Sequence, residues 1–564
     1  MRRVRPRLGR RGAREREPGV APVEPNAATN APINAPINAT GASPSGGRAL
    51  GLRAAVVGIG TLVSRISGLL REMIMAALYT RLETDAFFVA FRIPNGLRQI
   101  LAEGAISSAV VPVLSGTLAT EGEESAKDFF AKVRGLSLLV LALVSVAGVV
   151  FAGPLTELFA AGHHGEPGRF ELTVSMTRWL FPYIFFMGSA ALGAAALQSH
   201  QEFALVSLAP VLLNVAMVAF AFAGPALAPE LGVDRAHVLA IGALVGGLLQ
   251  LLVQWPALRR LGYVQLPRID FGDRKVREVL RRIAPMALGM GIYQVDLILS
   301  TRFLAAGETG AQSYFLWASR LCDVPQGIFG LALSTAALPT LAALVAREEY
   351  TELRRTATLA LRMTLFVAIP SSVYAACFAL PVVRVFFERG RFDLHAAEQT
   401  AASFVWQGAA IVAVACVRPL VATFHALGLT ALPVLVSALD LLAFIALAVG
   451  LTPRFGHVGV SMAVAGSATV QAALLFAALL RTHAAPHVAE LALSAAKVTA
   501  ASVVAAALPL ALVRGASPMV TVAASLASFA IVFPVCALAL RSPEVSSLTS
   551  TLMRRVRRRA SRGS

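Results

Sequence analysis

Apolar runs long enough to cross a bilayer recur from about residue 52 to residue 541, separated by short polar breaks. A spanning helix needs ~20 mostly apolar residues. A window of that length finds about fourteen candidates, near 52–78, 84–115, 130–152, 172–198, 203–224, 236–258, 278–305, 311–343, 355–379, 397–426, 431–451, 456–480, 491–513 and 518–541. Several exceed one bilayer thickness, which predicts tilt, kinks or extension beyond the membrane. The pattern therefore predicts an all-α polytopic membrane protein with about 14 transmembrane helices.

Composition agrees. Hydrophobic residues make up 56% of the 564, charged residues only 15%, and the mean hydropathy is +0.69; soluble domains carry about 25% charged residues. The formal charge of +18 would point to nucleic acid in a soluble protein. Here it sits in tails and loops beside apolar spans, so the positive-inside rule accounts for it and no nucleic-acid partner is expected. Cys322, Cys377, Cys416 and Cys536 are widely spaced within spans. No zinc site, disulfide framework or cofactor is expected from them. His163 and His164 sit together in a loop without a third ligand nearby, so no metal is expected there either.

The basic residues set an orientation. The chain opens with Arg2, Arg3, Arg5, Arg7, Arg10 and Arg11, then a Pro/Asn/Ala stretch with the near-repeat APIN-APIN at 31–38. Residues 1–50 read as a disordered Arg-rich cytoplasmic tail. Residues 542–564 read as a second basic tail, with Arg554, Arg555, Arg557, Arg558, Arg559 and Arg562. Both termini are thus expected in the cytoplasm, which requires an even number of spans. The loop after the sixth span agrees, with Arg259, Arg260, Arg268, Arg274, Lys275, Arg277, Arg281 and Arg282. So does the loop after the eighth, with Arg347, Arg354 and Arg355.

SSAVVP at 107–112 resembles STAALP at 334–339, and each follows an arginine and a proline: Arg92 and Pro94, Arg320 and Pro325. Six spans precede the second copy's half. The expected organisation is an N-lobe at 51–260, a C-lobe at 261–481 and two further helices at 482–541, with the substrate site between the lobes.

Candidate chemistry lies in charged residues within the spans. The first span carries Arg65, Arg71 and Glu72; the second Asp85, Arg92, Arg98 and Glu103; the eighth Arg320 and Asp323. An arginine at mid-membrane costs ~2.5–3.5 kcal/mol, so Arg71, Arg98 and Arg320 together cost on the order of 8–10 kcal/mol. They are expected to face a wet cavity or a partner. Gly60, Ser64, Gly68 and Arg71 share one helical stripe; Arg92, Asn95, Gln99 and Glu103 share another. Pro94 is expected to kink the second span. Guanidinium groups bind phosphate oxygens bidentately and stay charged. Arg71, Arg98 and Arg320 are therefore the candidate grip on a phosphate or pyrophosphate. Arg65 and Arg92 read as supporting residues near span ends; Glu72, Asp85, Asn95, Glu103 and Asp323 as partners or gates. Asp296 and Asp440, acids in the seventh and eleventh spans, are candidates for ion coupling.

SRISGLLRE at 64–72, TDAFFVAFRIPNGLRQILAEGAISSAVVP at 84–112, ASRLCDVPQGIFGLALSTAALP at 318–339 and FFERGRFD at 386–393 resemble the MurJ (MviN) lipid II flippases of bacterial peptidoglycan synthesis. The resemblance runs from about 52 to 541. It implies a fourteen-helix fold of the multidrug/oligosaccharidyl-lipid/polysaccharide exporter superfamily: two six-helix lobes, plus two helices flanking a groove for the lipid tail. It implies that Arg71, Arg98 and Arg320 bind the lipid II pyrophosphate, and that Arg65, Asp85 and Glu103 act in gating or lobe contact. Two positions depart from the family pattern. Glu72 stands where Asp is common, and LTALP at 429–433 lacks an acid often found there. With a mainly apolar run in the eleventh span, the latter puts a sodium site in doubt. The partners implied are lipid II, membrane lipids and cell-wall synthesis proteins, and the implied location is the cytoplasmic (inner) membrane, as a monomer. Competing readings are an exporter of another lipid-linked glycan or a small molecule on the same fold, and a non-transporting scaffold for cell-wall synthesis. No loop is long enough for a catalytic domain and no nucleophile–base pair stands out, so no enzyme is expected.

Overall fold

The structure is a computed structural model that describes residues 44–99 and 107–545. The chain divides into two units, residues 1–48 and 49–564. Of the first only residues 44–48 are described, as helix; all other described residues belong to the second. The basic tails and Glu103 lie outside the described residues.

Helices account for every regular element among the described residues. They are α1 (Pro44–Leu78), α2 (Arg81–Arg98), α3 (Ser107–Glu121), α4 (Glu123–Val150), α5 (Ala152–Ala160), α6 (Arg169–Leu180), α7 (Tyr183–Ser199), α8 (Ala204–Leu231), α9 (Arg235–Arg260), α10 (Arg274–Ala305), α11 (Ala311–Ala346), α12 (Tyr350–Phe387), α13 (Leu394–Ala426), α14 (Ala431–Leu479), α15 (Val488–Leu512) and α16 (Pro518–Ala539). Each of the fourteen apolar runs falls on this series. The second is shared by α2 and α3, the fourth by α6 and α7, and the eleventh and twelfth lie in α14. At 1.5 Å per residue the 49 residues of α14 would reach ~74 Å, more than twice a ~30 Å hydrocarbon core. Gly456 resolves this: φ +55° and ψ −135° break the helix between the two runs, a conformation open to glycine.

Local signals set the ends. Thr80 caps α2 in a reciprocal box: its hydroxyl accepts from the Glu83 amide, and its own amide donates to the Glu83 carboxylate at 2.7 Å. Asp273 and Asp393 cap α10 and α13. α2 carries Pro94 and ends one turn later, at Arg98.

Helices α2–α9 pack mainly on one another, as do α11–α14, and α15 with α16 lies against α12. α10 touches both groups, through α3 and α5 on one side and α14 on the other. An aromatic cluster joins the groups at one end, where Phe88 of α2 meets Trp317 of α11 at 6.1 Å and Trp317 meets Phe392 at 5.1 Å. Polar contacts reinforce that end. Asp85 accepts from the Gly310 amide (2.7 Å), the Ser313 amide (2.9 Å) and the Ser313 hydroxyl (2.6 Å), so an acid of α2 caps α11. Arg81 pairs with Asp393, and the Arg391 amide donates to the Ala77 carbonyl at 2.8 Å.

Candidate substrate site

Two adjoining cavities lie between the helix groups. The first, about 370 Å³, is lined by Ser64, Arg65, Gly68, Arg71, Asn214, Arg320 and Asp323, among others. The second, about 210 Å³, is lined by Arg71, Glu72, Arg92, Asn95, Gln99, Gln312, Ser319 and Arg320 beside the rings of Phe87, Phe88 and Phe91. Arg71 and Arg320 border both.

Arg71 is buried at 9% exposure, its two terminal nitrogens engaged and its Nε without a partner among the described residues. Its guanidinium binds Glu72 at 2.5 Å and the Asn214 side-chain oxygen at 3.0 Å. Asn214, from α8, also donates to the Ser67 hydroxyl (2.8 Å) and the Ser64 carbonyl (3.2 Å). The small stripe on α1 thus seats against α8, and Gly60 packs there against Ser207. Arg320, from α11, pairs with Asp323 at 3.2 Å and approaches Glu72 at 3.9 Å. It is 42% exposed to the cavity space, so its charge is available to a ligand. Arg65 donates to the Asp323 carbonyl at 2.9 Å.

Among the described lining residues, four guanidinium groups, Arg65, Arg71, Arg92 and Arg320, therefore converge from α1, α2 and α11 beside two carboxylates, Glu72 and Asp323. Guanidinium groups thus outnumber carboxylates among the described lining residues, which suits an anionic ligand. Arg65 and Arg92, expected near span ends, line the cavities themselves. Arg98 lines neither. It donates to the Asn95 side-chain oxygen at 3.0 Å and stands behind a residue that does line the second cavity.

Asp85 lies outside both cavities. It is fully buried against Arg169 at 2.7 Å. Asp296 of α10 and Asp440 of α14, 144 positions apart in sequence, lie within range of each other's charge, and Arg92 acts on Asp296 as well. The two loop histidines diverge. His163 is buried beside Thr173, and burial, helped by the charges of Arg169 and His164, pushes its pKa down to about 3. His164 stacks on Phe170 and pairs with Glu157.

Sequence reading missed Asn214 and Arg169. The signal for Asn214 was present: it is the lone amide in the apolar run 203–224, and such a residue seeks a partner on another helix. Arg169 opens α6 and gave no sign of its acid, 84 positions earlier.

The family model described as "Lipid II flippase MurJ" matches residues 74–530. The lipid II flippase MurJ of Burkholderia cenocepacia is 33% identical over 424 residues, covering 74% of this chain and 81% of that one. This chain belongs to the MurJ family. A probable lipid II flippase MurJ of Vibrio cholerae is 32% identical over 434 residues, covering 75% and 82%. Among solved structures, a lipid II flippase MurJ in an inward closed conformation superposes with a TM-score of 0.72 at 21% identity, over 86% of this chain and 99% of that one. An inward-facing multidrug MATE-family transporter of the MOP superfamily gives 0.61 at 16% identity, over 73% and 93%. The fold is that of MurJ and, more distantly, of this transporter superfamily. It is a multi-pass membrane fold of about fourteen transmembrane helices, in a family of transporters rather than of enzymes.

Proposed function

We propose that this chain flips lipid II, the undecaprenyl-pyrophosphate-linked peptidoglycan precursor, from the inner to the outer leaflet by alternating access. The observation that carries the reading is the surplus of guanidinium charge around the paired cavities. A cationic, water-filled cavity shields the polar head while the polyprenyl tail stays in the bilayer. Family membership supplies the substrate's identity; the geometry supplies the chemistry of its anionic part. A drug exporter for organic cations would want acids here, and the cavity carries the opposite balance.

In this reading Arg71 and Arg320 hold the pyrophosphate, with Arg65 and Arg92 completing the charge. Asn214 and Glu72 orient Arg71. Arg98 positions Asn95 in this conformation and reaches the head group only if α2 turns. The lobes, 51–260 and 261–481, rock about the site, and the helices of 482–541 flank the tail. Asp85, Arg81 and Asp393 latch one end. The basic loops lie at the opposite end, which the positive-inside rule places in the cytoplasm together with both termini. Asp296 and Asp440 form the candidate coupling pair. Outward passage of a negative head also gains ~2.3 kcal/mol per charge per 100 mV of membrane potential. The chain acts as a monomer on lipid II, and the enzymes that make and consume that lipid are its expected neighbours.

The test is replacement of Arg71, Arg98 or Arg320 by Ala and by Lys, with insertion confirmed and lipid II arrival at the outer leaflet assayed. A hydrogen bond to a charged group is worth ~1.5–3 kcal/mol. Arg71→Ala and Arg320→Ala should therefore slow flipping about 10- to 100-fold, with partial recovery in the Lys variants. Normal flipping in all the Ala variants would sink the proposal.

A further inference from the structure

Arg134, outside the central cavities and at the basic end of the molecule, has no ion pair among the described residues. The lysines of the same helix and Arg268 are paired. Lys127 meets Glu123 and Glu124, Lys132 meets Asp128 and Asp273, and Arg268 meets Asp128. Arg134, on the same helix as Lys127 and Lys132, has among the described residues only a long contact to the Gln265 carbonyl, at 3.5 Å, and the Trp255 ring, at 5.8 Å.

Arg134 stands at the mouth of a third cavity, about 190 Å³, between α4, α7, α9 and the segment that carries Tyr263. Phe130, Leu138, Leu141, Leu192, Leu251 and Leu258 form its wall. It shares no lining residue with the two central cavities. Leu139, Leu143, Val146 and Leu252, on the same two outer helices, are exposed, so this side of the molecule faces lipid.

The level in the bilayer follows from the sequence. Arg134 is the last charged residue of α4 before the apolar stretch 135–150, and Trp255 precedes Arg259 where the apolar run of α9 ends. Tryptophan and tyrosine favour the boundary between hydrocarbon and head groups, and arginine reaches it from below. An apolar crevice open to hydrocarbon does not hold water; a hydrocarbon chain fills it. A guanidinium lacking a carboxylate at its mouth calls for a phosphate, which it can bind with two parallel donors.

We propose that this crevice binds an anionic glycerophospholipid of the inner leaflet, with an acyl chain between α4, α7 and α9 and the head-group phosphate on Arg134, over Trp255. The site belongs to the N-terminal helix group and is separate from the path of the lipid II head.

Trp255 is the natural reporter. Replacing Trp179, Trp317 and Trp406 by Phe in the full-length chain leaves it as the only tryptophan. The protein is placed in phosphatidylcholine vesicles containing a minor fraction of lipid brominated on its acyl chains, either phosphatidylglycerol or phosphatidylcholine. Quenching of Trp255 should show about a fivefold preference for phosphatidylglycerol, the factor that one interfacial arginine supplies. Arg134→Gln should abolish the preference and leave quenching by the neutral lipid. Equal quenching by both lipids, or a preference that survives Arg134→Gln, would overturn the site. Displacement of the brominated phosphatidylglycerol by an equal amount of undecaprenyl phosphate would assign the crevice to the polyprenyl carrier and overturn it as well. Should the triple-Phe chain misfold, native mass spectrometry of the unaltered chain and of Arg134→Gln gives the same decision from the phosphatidylglycerol retained.

Discussion

Gly390 offers a sharp probe of alternating access. It lies in the strap between α12 and α13, with φ at +61°, and a Cβ built there would clash with the Ala77 carbonyl oxygen of α1. The same oxygen accepts the Arg391 amide at 2.8 Å. Gly390→Ala therefore brings two costs. Left-handed backbone costs an alanine ~1–2 kcal/mol wherever the strap keeps its shape. The clash acts only while strap and α1 are in contact, and relieving it sacrifices the Arg391–Ala77 hydrogen bond, worth ~1 kcal/mol. If this end opens during transport, the first cost applies to both states and cancels. The second, ~1–2 kcal/mol with residual strain, shifts the population toward the open state about 5- to 30-fold. Gly428 supplies the control: φ is +74° and nothing lies within 4 Å of its Cβ position, so Gly428→Ala adds strain without a clash. Spin labels at Leu158 and Leu394, both exposed, in a chain whose four cysteines are replaced, report the distance across this end. Gly390→Ala should increase the long-distance population while Gly428→Ala only lowers the melting temperature. Identical distance distributions for both variants and the parent would refute the reasoning that this contact belongs to one transport state.

Asp85→Asn should leave Arg169 as a buried cation with only the longer contact to Glu166 at 3.9 Å, and weaken the cap on α11. Breaking a buried pair this way costs ~3–5 kcal/mol, visible as a clear fall in melting temperature, and the same spin labels should report a wider opening. Glu544 ties the segment after α16 to α12 and α15 through Arg362 (2.7 Å) and Ser494 (2.7 Å). Burial alone would raise its pKa, but hydrogen bonds from Ser542 and Ser494, with Arg362, hold it below the ordinary 4.5. The depressed value means the contribution is present above pH 4.5 and lost as pH falls below it through the folded-state value. Glu544→Gln should therefore lower the melting temperature at neutral pH, and the gap from the parent should narrow in acid below pH 4.5; a gap independent of pH would contradict this.

Much of the molecule was legible in the sequence because a bilayer leaves few choices. Backbone in hydrocarbon must be helical, and length then counts the spans. Even the boundary inside α14 was visible as a polar break before Gly456 set the kink. The cost of burying charge likewise singled out Arg71, Arg98 and Arg320 before any geometry was known; the first and last border both cavities and Arg98 borders neither. The limit came with facing and partnership. Arg92, Asn95 and Arg98 share one helix, and periodicity places them on neighbouring faces without saying which face meets the cavity; packing put Arg92 there and left Arg98 behind Asn95. Asn214 holds Arg71 from 143 positions away, Arg169 pairs with Asp85, and Asp296 comes within range of the charge of Asp440 on another helix. Sequence alone determined how many helices cross and which charges need a reason to be there. Only the tertiary structure decided which charges answer one another, because that depends on how the helices rotate and pack, and the apolar faces that fix the rotation look much alike along the chain.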